Sequence, residues 1–520
     1  MIGVKDIIRN IIMKQKSNFI IILLAIFCCA TGCSQSYKPA SLVPETPSKA
    51  PDYLCTWNLQ GYVCSYKSSV AMRHELTEQN IFGDGPLEGW ARVFPKIHKD
   101  LFLVLDDAWD TPLKSGDKAY YGSLILDTVR FPSVSRLNPE QRLAYVSDKV
   151  KSLGWKGLGL WICAQQAPIY KDEDSVQYWK ERFQWMNAAG IRYWKVDWGN
   201  ESKKEAWRAW LTSMGKKWAP NLIIEHAMTP AVLASAATYR TYDVENVISI
   251  PHTIDRIANL LKALPKGKAV SIINCEDEPY IAAGMGCAIG IMRHPFNGKL
   301  PNGDPDHAFP LAGRDLKSRL DAEVRGVRWH RIATPFGINE TDFYIDSNKL
   351  HDFWTMRDHE TYIKDHGPGY INAWDAPAII TRGLDKPTVT LPRRDSIYPY
   401  ILASKYPNGA IAIAAIGRTL DRQYSTPRAD VLLQVDNYNH PFGIFGHFDS
   451  LTIEVKGASS VKATRIWAQD LAGETPIDIT SEVIQRGNQF IVPGSVIDKV
   501  GLSAATKGDK SEPGLVLNFE

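Results

Sequence analysis

Over roughly 280 residues from Pro51 onward, short apolar runs alternate with longer amphipathic stretches. Eight runs stand out: 53–59, 101–107, 157–163, 191–197, 222–225, 238–244, 270–274 and 286–292. Helical spacing fills the gaps between them. In 139–153, for instance, Leu143, Val146, Val150 and Leu153 fall on one face. The stretches 175–189 and 203–218 read the same way. Eight strands alternating with helices predict an α/β chain, a (β/α)8 TIM barrel. A doubly wound open sheet is the competing architecture, but no glycine-rich phosphate loop follows the first run.

In such a barrel the chemistry sits at the C-terminal ends of the strands. Those ends are rich in acids and aromatics: Trp57-Asn58, Asp106-Asp107-Ala108-Trp109, Trp161, Lys195-Val196-Asp197-Trp198, Glu225-His226, Arg240-Thr241-Tyr242-Asp243 and Glu276-Asp277-Glu278. Lys195 and Asp197 are two apart on one strand and so point the same way. A buried structural ion pair would also explain them. Acids repeated around one rim suit a polyhydroxylated ring, because carboxylates accept hydrogen bonds from its hydroxyls and tryptophan covers its apolar face. Two acids can work on a glycosidic bond. Asp197 is the candidate nucleophile, with Lys195 favouring its ionised form. Asp243 is the candidate general acid/base, Arg240 can orient it or bind substrate, and Glu245 is its rival.

Beyond the barrel, 314–332 and 348–363 are expected to be helices. After Pro387 the runs become short and β-rich between Pro, Gly, Asn and Asp, which predicts a C-terminal antiparallel β-sandwich. The expected organisation is therefore a barrel over 51–385 and a sandwich over 386–520.

The N-terminus reads as a targeting segment. Lys14 and Lys16 precede an apolar run over 19–27, too short for a comfortable membrane span. Ala30, Thr31 and Gly32 lead into Cys33, the pattern of a bacterial lipoprotein signal with Cys33 as the lipidated residue. Met13 is an alternative start. Residues 34–50 are Ser-, Pro- and Lys-rich, suited to an extended tether. The expectation is a bacterial cell-envelope protein, held to a membrane by lipid and facing either the periplasm or the outside.

Composition narrows the partners. A net charge of +3 without a block of like charges gives no footprint for nucleic acid. Twelve scattered His and no zinc spacing leave no expected metal or cofactor. Past Cys33 there are five cysteines, an odd number, with Cys55 and Cys64 near enough in sequence to form a disulfide. The oligomeric state is left open.

Four segments carry a resemblance: Thr56-Trp57-Asn58; Asp106-Asp107-Ala108-Trp109 followed by Asp127-Thr128-Val129-Arg130-Phe131-Pro132; Tyr193-Trp194-Lys195-Val196-Asp197; and Tyr239-Arg240-Thr241-Tyr242-Asp243. In these the chain resembles the clan D glycoside hydrolases, family 27 in particular, the α-galactosidase group. The resemblance implies a retaining, exo-acting hydrolase of an α-linked sugar. Asp197 would attack the anomeric carbon, and Asp243 would protonate the leaving oxygen and then activate water. Asp106, Asp107, Lys195, Arg240 and Glu225 would hold sugar hydroxyls, between walls of Trp57 and Trp161. Departures fall where substrate is chosen. The Arg240–Asp243 spacing is one residue short, Glu225-His226 stands at strand 5, and Glu276-Asp277-Glu278 stands where the family has Asp-Pro-Asp. A β-L-arabinopyranoside is the alternative substrate, and a lipid-anchored glycan-binding protein without turnover is the alternative from another class.

Overall fold

The computed structural model describes residues 39–113, 118–241, 248–296, 298–304, 314–357, 369–394 and 396–520. The expected targeting segment, Cys33, Asp243 and Glu245 lie outside these. Within them, Ser41–Glu520 forms one compact unit.

Eight strands close a barrel in chain order. They are β1 (Tyr53–Cys55), β2 (Phe102–Leu105), β3 (Gly157–Ile162), β4 (Tyr193–Val196), β5 (Ile223–His226), β6 (Thr238–Arg240), β7 (Ile272–Glu276) and β8 (Ala288–Ile291). All neighbours pair in parallel, and β1 closes the ring onto β8. The competing open sheet is thereby excluded. The strands are shorter than the apolar runs because the runs continue into the rim. After β1 the chain turns at Thr56 straight into a helix, α1 (Trp57–Val63), so Trp57 begins a helix rather than ending a strand.

Nine further α-helices follow among the described residues: α2 (Ser69–His74), α3 (Glu78–Phe82), α4 (Pro139–Ser152), α5 (Ser175–Ala188), α6 (Glu205–Trp218), α7 (Ser249–Ala263), α8 (Pro279–Met285), α9 (Leu320–Trp329) and α10 (Gly494–Gly501). Local chemistry sets their starts. Asn138 and Gln141 form a reciprocal capping box on α4 with Pro139 in the first turn, and Asp174 caps α5. Leu143, Val146 and Val150 are buried along one face of α4, as their spacing requires.

Alternate strand residues fill the barrel. Tyr53, Phe102 and Tyr193 make its aromatic floor, with ring centroids 5.2 and 5.4 Å from Tyr193. Gly159 makes room for this floor: a Cβ there would stand 2.8 Å from Val104 Cγ2 and 3.0 Å from Tyr193 Cβ. Above the floor the inward residues turn polar.

The remainder departs from expectation in three ways. The described part of the expected 348–363 helix is not helical: Lys349–Thr355 is a strand, antiparallel to Ile371–Pro377. Asp352 and Trp354 are buried while their neighbours are more exposed, so a period of two decides the segment. Strands consequently begin at Phe343 rather than after residue 386. The sheets are also mixed rather than antiparallel. They contain eight, five and four strands. Asp430–Val435 and Ser450–Val455 run parallel because the strand between them in sequence, Phe442–Phe445, belongs to the other sheet. The sandwich packing itself is present, with Val431, Leu433, Ile453 and Phe490 in one core with Ile401, Ile413, Ile444 and Leu515. Finally, Cys55 and Cys64 are both free thiols. Cys55 points into the barrel, where its Sγ donates to Asp106.

Candidate active site

Four buried carboxylates and two buried cations share the upper barrel: Asp106, Asp197, Glu225 and Glu276 with Lys195 and Arg240. The period-two geometry of the strands brings them together. β4 carries Lys195 inward, and Asp197 follows one residue past its end.

Asp197 is oriented from two sides. Trp161 Nε1 donates to its Oδ2 at 2.9 Å, and Arg240 Nη2 donates to its Oδ1 at 3.0 Å. Burial acts to raise its pKa, but Arg240, Lys195 and the Trp161 bond outweigh it and hold Asp197 below the ordinary carboxylate value. It is therefore an anion at neutral pH, with 8% of its surface still open.

Lys195 stands 3.2 Å from Asp106 Oδ2 and 3.4 Å from Glu276 Oε1. Desolvation works against its charge, yet these neighbours and Cys55 hold its pKa well above the usual lysine value. Asp106 is fully engaged: Oδ2 takes Cys55 and Lys195, and Oδ1 accepts the Asp107 amide at 2.7 Å. Asp107 holds Arg73 instead, with Oδ2 on Arg73 Nε at 2.7 Å and Oδ1 buried without a hydrogen bond. Burial pushes Asp107 up to about 7, against the pull of Arg73. Of the two aspartates, Asp107 keeps the spare acceptor.

Glu225 is expected from the sequence to hold a sugar hydroxyl, and the structure places it inside the barrel. It is wholly buried, with Oε1 on Arg240 (3.2 Å) and Tyr53 (3.4 Å) and Oε2 on Tyr193 (2.7 Å) and Asn274 (2.8 Å). It supports Arg240 from below the rim. Burial raises its pKa, with Arg240 opposing. Trp161 is buried at the wall, and half-buried Trp57 packs against the barrel-interior cluster at the mouth. The acidic triplet disperses. Glu276 enters the barrel beside Lys195 and Arg240, Asp277 Oδ1 accepts the Met292 and Arg293 amides, and Glu278 pairs with Arg314.

Several members escape motif reading. Tyr193 and Tyr53 follow from period two once Lys195 is placed inward. Arg208 gives a weaker signal, an arginine on the buried face of α6. It donates to the carbonyls of Asp197 (2.9 Å), Val196 (3.3 Å) and Ser202 (2.6 Å) and to His226 Nδ1 (3.0 Å). Burial and Arg208 push His226 well below the usual histidine value, so it is neutral and accepts. Its Nε2 donates to Thr212, whose hydroxyl donates to the Arg208 carbonyl. This closed loop fixes the backbone from which Asp197 projects.

The site can hold an ionised, oriented carboxylate, Asp197, among three further acids and two cations. An anion fixed in this way favours positive charge developing on a bound ligand beside it. No trio of His, Cys, Asp or Glu among the described residues is placed to hold a metal.

No family model matches the chain, and no curated protein matches it. Among solved structures it is similar to α-galactosidase I from Mortierella vinacea, at 10% identity over 90% of this chain and 96% of that one, TM-score 0.39. It is similar to the Saccharomyces cerevisiae α-galactosidase with raffinose, at 10% identity over 91% and 98%, TM-score 0.38. A GH27 β-L-arabinopyranosidase from Geobacillus stearothermophilus matches at 9% identity over 91% and 97%, TM-score 0.38. The barrel and its site stand on the strand pairing and distances above, independently of these likenesses.

Proposed function

We propose that the protein is an exo-acting retaining glycoside hydrolase of α-galactoside-type linkages, with Asp197 as nucleophile. The observation that carries this reading is the Asp197 carboxylate at the end of β4, held ionised between Trp161 Nε1 and Arg240 Nη2. An anion fixed at that height in a barrel can attack an anomeric carbon as the leaving oxygen departs. The bond formed joins the anomeric carbon to a carboxylate oxygen, and the leaving alkoxide takes a proton from the general acid. The acid is Asp243 on the sequence reading, with Glu245 as its rival. In the second step that group removes a proton from water, which displaces Asp197. Asp107 Oδ1 is the spare acceptor for a sugar hydroxyl. Lys195 and Arg240 serve the same ring through the carboxylates that they fix. In this reading the chain is anchored by lipid on Cys33 in a bacterial cell envelope and acts on oligo- or polysaccharides.

The test is turnover of p-nitrophenyl α-galactoside and β-L-arabinopyranoside, with the α-glucoside, α-N-acetylgalactosaminide and β-galactoside as controls. Asp197→Ala should lose several orders of magnitude while staying folded, and azide should restore turnover of the activated substrate as a glycosyl azide of inverted anomeric configuration. Wild-type rates in Asp197→Ala remove it as nucleophile. A folded protein that binds glycans but cleaves none of the panel supports the binding-protein alternative.

A further inference from the structure

A cavity of about 440 Å³ is lined by residues that follow β2, β3 and β4, among them Thr111, Gln165 and Trp198. Trp198 and Tyr121 line it, with ring centroids 5.1 Å apart. The Trp198 ring lies 5.3 Å from that of Trp161, whose indole holds Asp197. Trp198 and Trp161 thus link the cavity lining to the proposed nucleophile.

The polar lining is one-sided in charge. Arg73, His74, Lys118 and Arg130 contribute to it, and no Asp or Glu does among the described residues. Arg130 is spent on the carbonyls of Thr111, Arg73 and Leu76. Arg73 is not spent. Its Nε is taken by Asp107, its planar group lies 5.3 Å from the Tyr121 ring and 5.7 Å from the Trp198 ring, and its two Nη groups have no hydrogen-bond partner among the described residues. Lys118 and His74 likewise make no hydrogen bond through their side chains there. Asp107 fixes the guanidinium and the rings flank it, so its free fork is aimed and pre-ordered, the geometry that recognises two oxygens of one anionic group. The rings supply the faces on which a pyranose stacks.

Resting on the glycosidase reading, we propose that this cavity is a subsite for an acidic sugar. The substrate carries a carboxylate or sulfate, on the residue being cleaved or on its immediate neighbour, and the group is bound by the Arg73 fork with Lys118 and His74.

The purified protein would be titrated calorimetrically at low ionic strength with D-galactose, D-galacturonate, D-galactose 6-sulfate and inorganic sulfate. One or both acidic sugars should bind about tenfold or more tightly than galactose, the scale of a charge-assisted fork. Which of the two gains more tells carboxylate from sulfate. In the surface double variant Lys118→Gln/His74→Gln the preference should shrink while galactose affinity holds, and in Arg73→Gln it should vanish. Equal binding of neutral and acidic sugars overturns the subsite, and aryl-galactoside turnover in the same preparation leaves the glycosidase reading standing. Sulfate binding as tightly as galactose 6-sulfate also overturns it, since the sugar then contributes nothing. Absence of both sugar binding and aryl-glycoside cleavage overturns both readings.

Discussion

Arg240 Nη2 lies 3.0 Å from Asp197 Oδ1, with the arginine side chain wholly buried. The same guanidinium reaches Glu225 at 3.2 Å and Glu276 at 3.7 Å. One cation thus serves three carboxylates, of which Asp197 is the most exposed, 8% against 3% for Glu276 and none for Glu225. The arrangement ties the ionisation of the proposed nucleophile to the integrity of the barrel floor.

Replacing Arg240 by Gln should therefore do two things. Asp197, freed from its strongest opposing charge, should titrate higher, and the acid limb of the pH–activity profile should move up. The fold should lose about 3–5 kcal/mol, because a buried ion cluster loses its central partner. Denaturant unfolding and a kcat–pH profile measured together check both. An unmoved acid limb would mean that Asp197 is not the group titrating there.

Arg208 should act through the backbone. It reaches Asp197 only at the carbonyl, at 2.9 Å, so Arg208→Gln should lower kcat about tenfold or more with little change in KM. Arg208→Lys should not rescue it, since one ammonium cannot span Val196, Asp197, Ser202 and His226 together. An altered KM with an unchanged kcat would place the defect in binding instead.

Much of this site was readable in the sequence because β-strands carry a strict period. Once Lys195 is inward, Asp197 and Tyr193 follow, and the parallel register sets Trp161 and Glu225 beside Lys195. What escaped was depth and direction. Nothing in Glu225-His226 says that Glu225 sits below the rim or that His226 turns outward to Arg208 and Thr212. Adjacent Asp106 and Asp107 look equivalent, yet one is saturated by Cys55 and Lys195 while the other holds Arg73. The 348–363 stretch misled because its apolar residues fit a helical period. The deciding feature is distant in sequence: Asp352 meets Arg418 Nε at 2.6 Å, which draws alternate residues inward.

Thiol chemistry offers a quick check of the barrel interior. Cys55, Cys163, Cys275 and Cys287 are buried and Cys64 is partly exposed. Burial next to Asp106 keeps the Cys55 thiol protonated, and burial likewise raises Cys163. Native protein truncated before residue 39 should react first at one thiol, and peptide mapping should place it at Cys64. Fast labelling of Cys55 would contradict the closed floor, and a Cys55–Cys64 disulfide in the mapped peptides would contradict the free thiols.

A second acid cluster predicts how stability varies with pH. Glu323 is wholly buried on α9, and neither of its oxygens makes a hydrogen bond. Arg293 Nε lies 2.9 Å from it, and the same nitrogen lies 3.8 Å from Asp277. One arginine cannot offset two buried anions, so burial pushes Glu323 up to about 8 from 4.5, with Asp277 adding to the shift and Arg293 opposing it. The folded protein then holds a proton that the unfolded chain has released. Between the ordinary carboxylate value and about 8 the folded state is the more protonated, so stability falls as pH rises through that window. Glu323→Gln keeps the shape and removes the titration. Its Tm should match or exceed that of the wild type at the alkaline end, by about one or two degrees, and the decline with pH should flatten. A wild-type-like decline in Glu323→Gln would move the titration to another group, with Asp277→Asn as the next variant to measure.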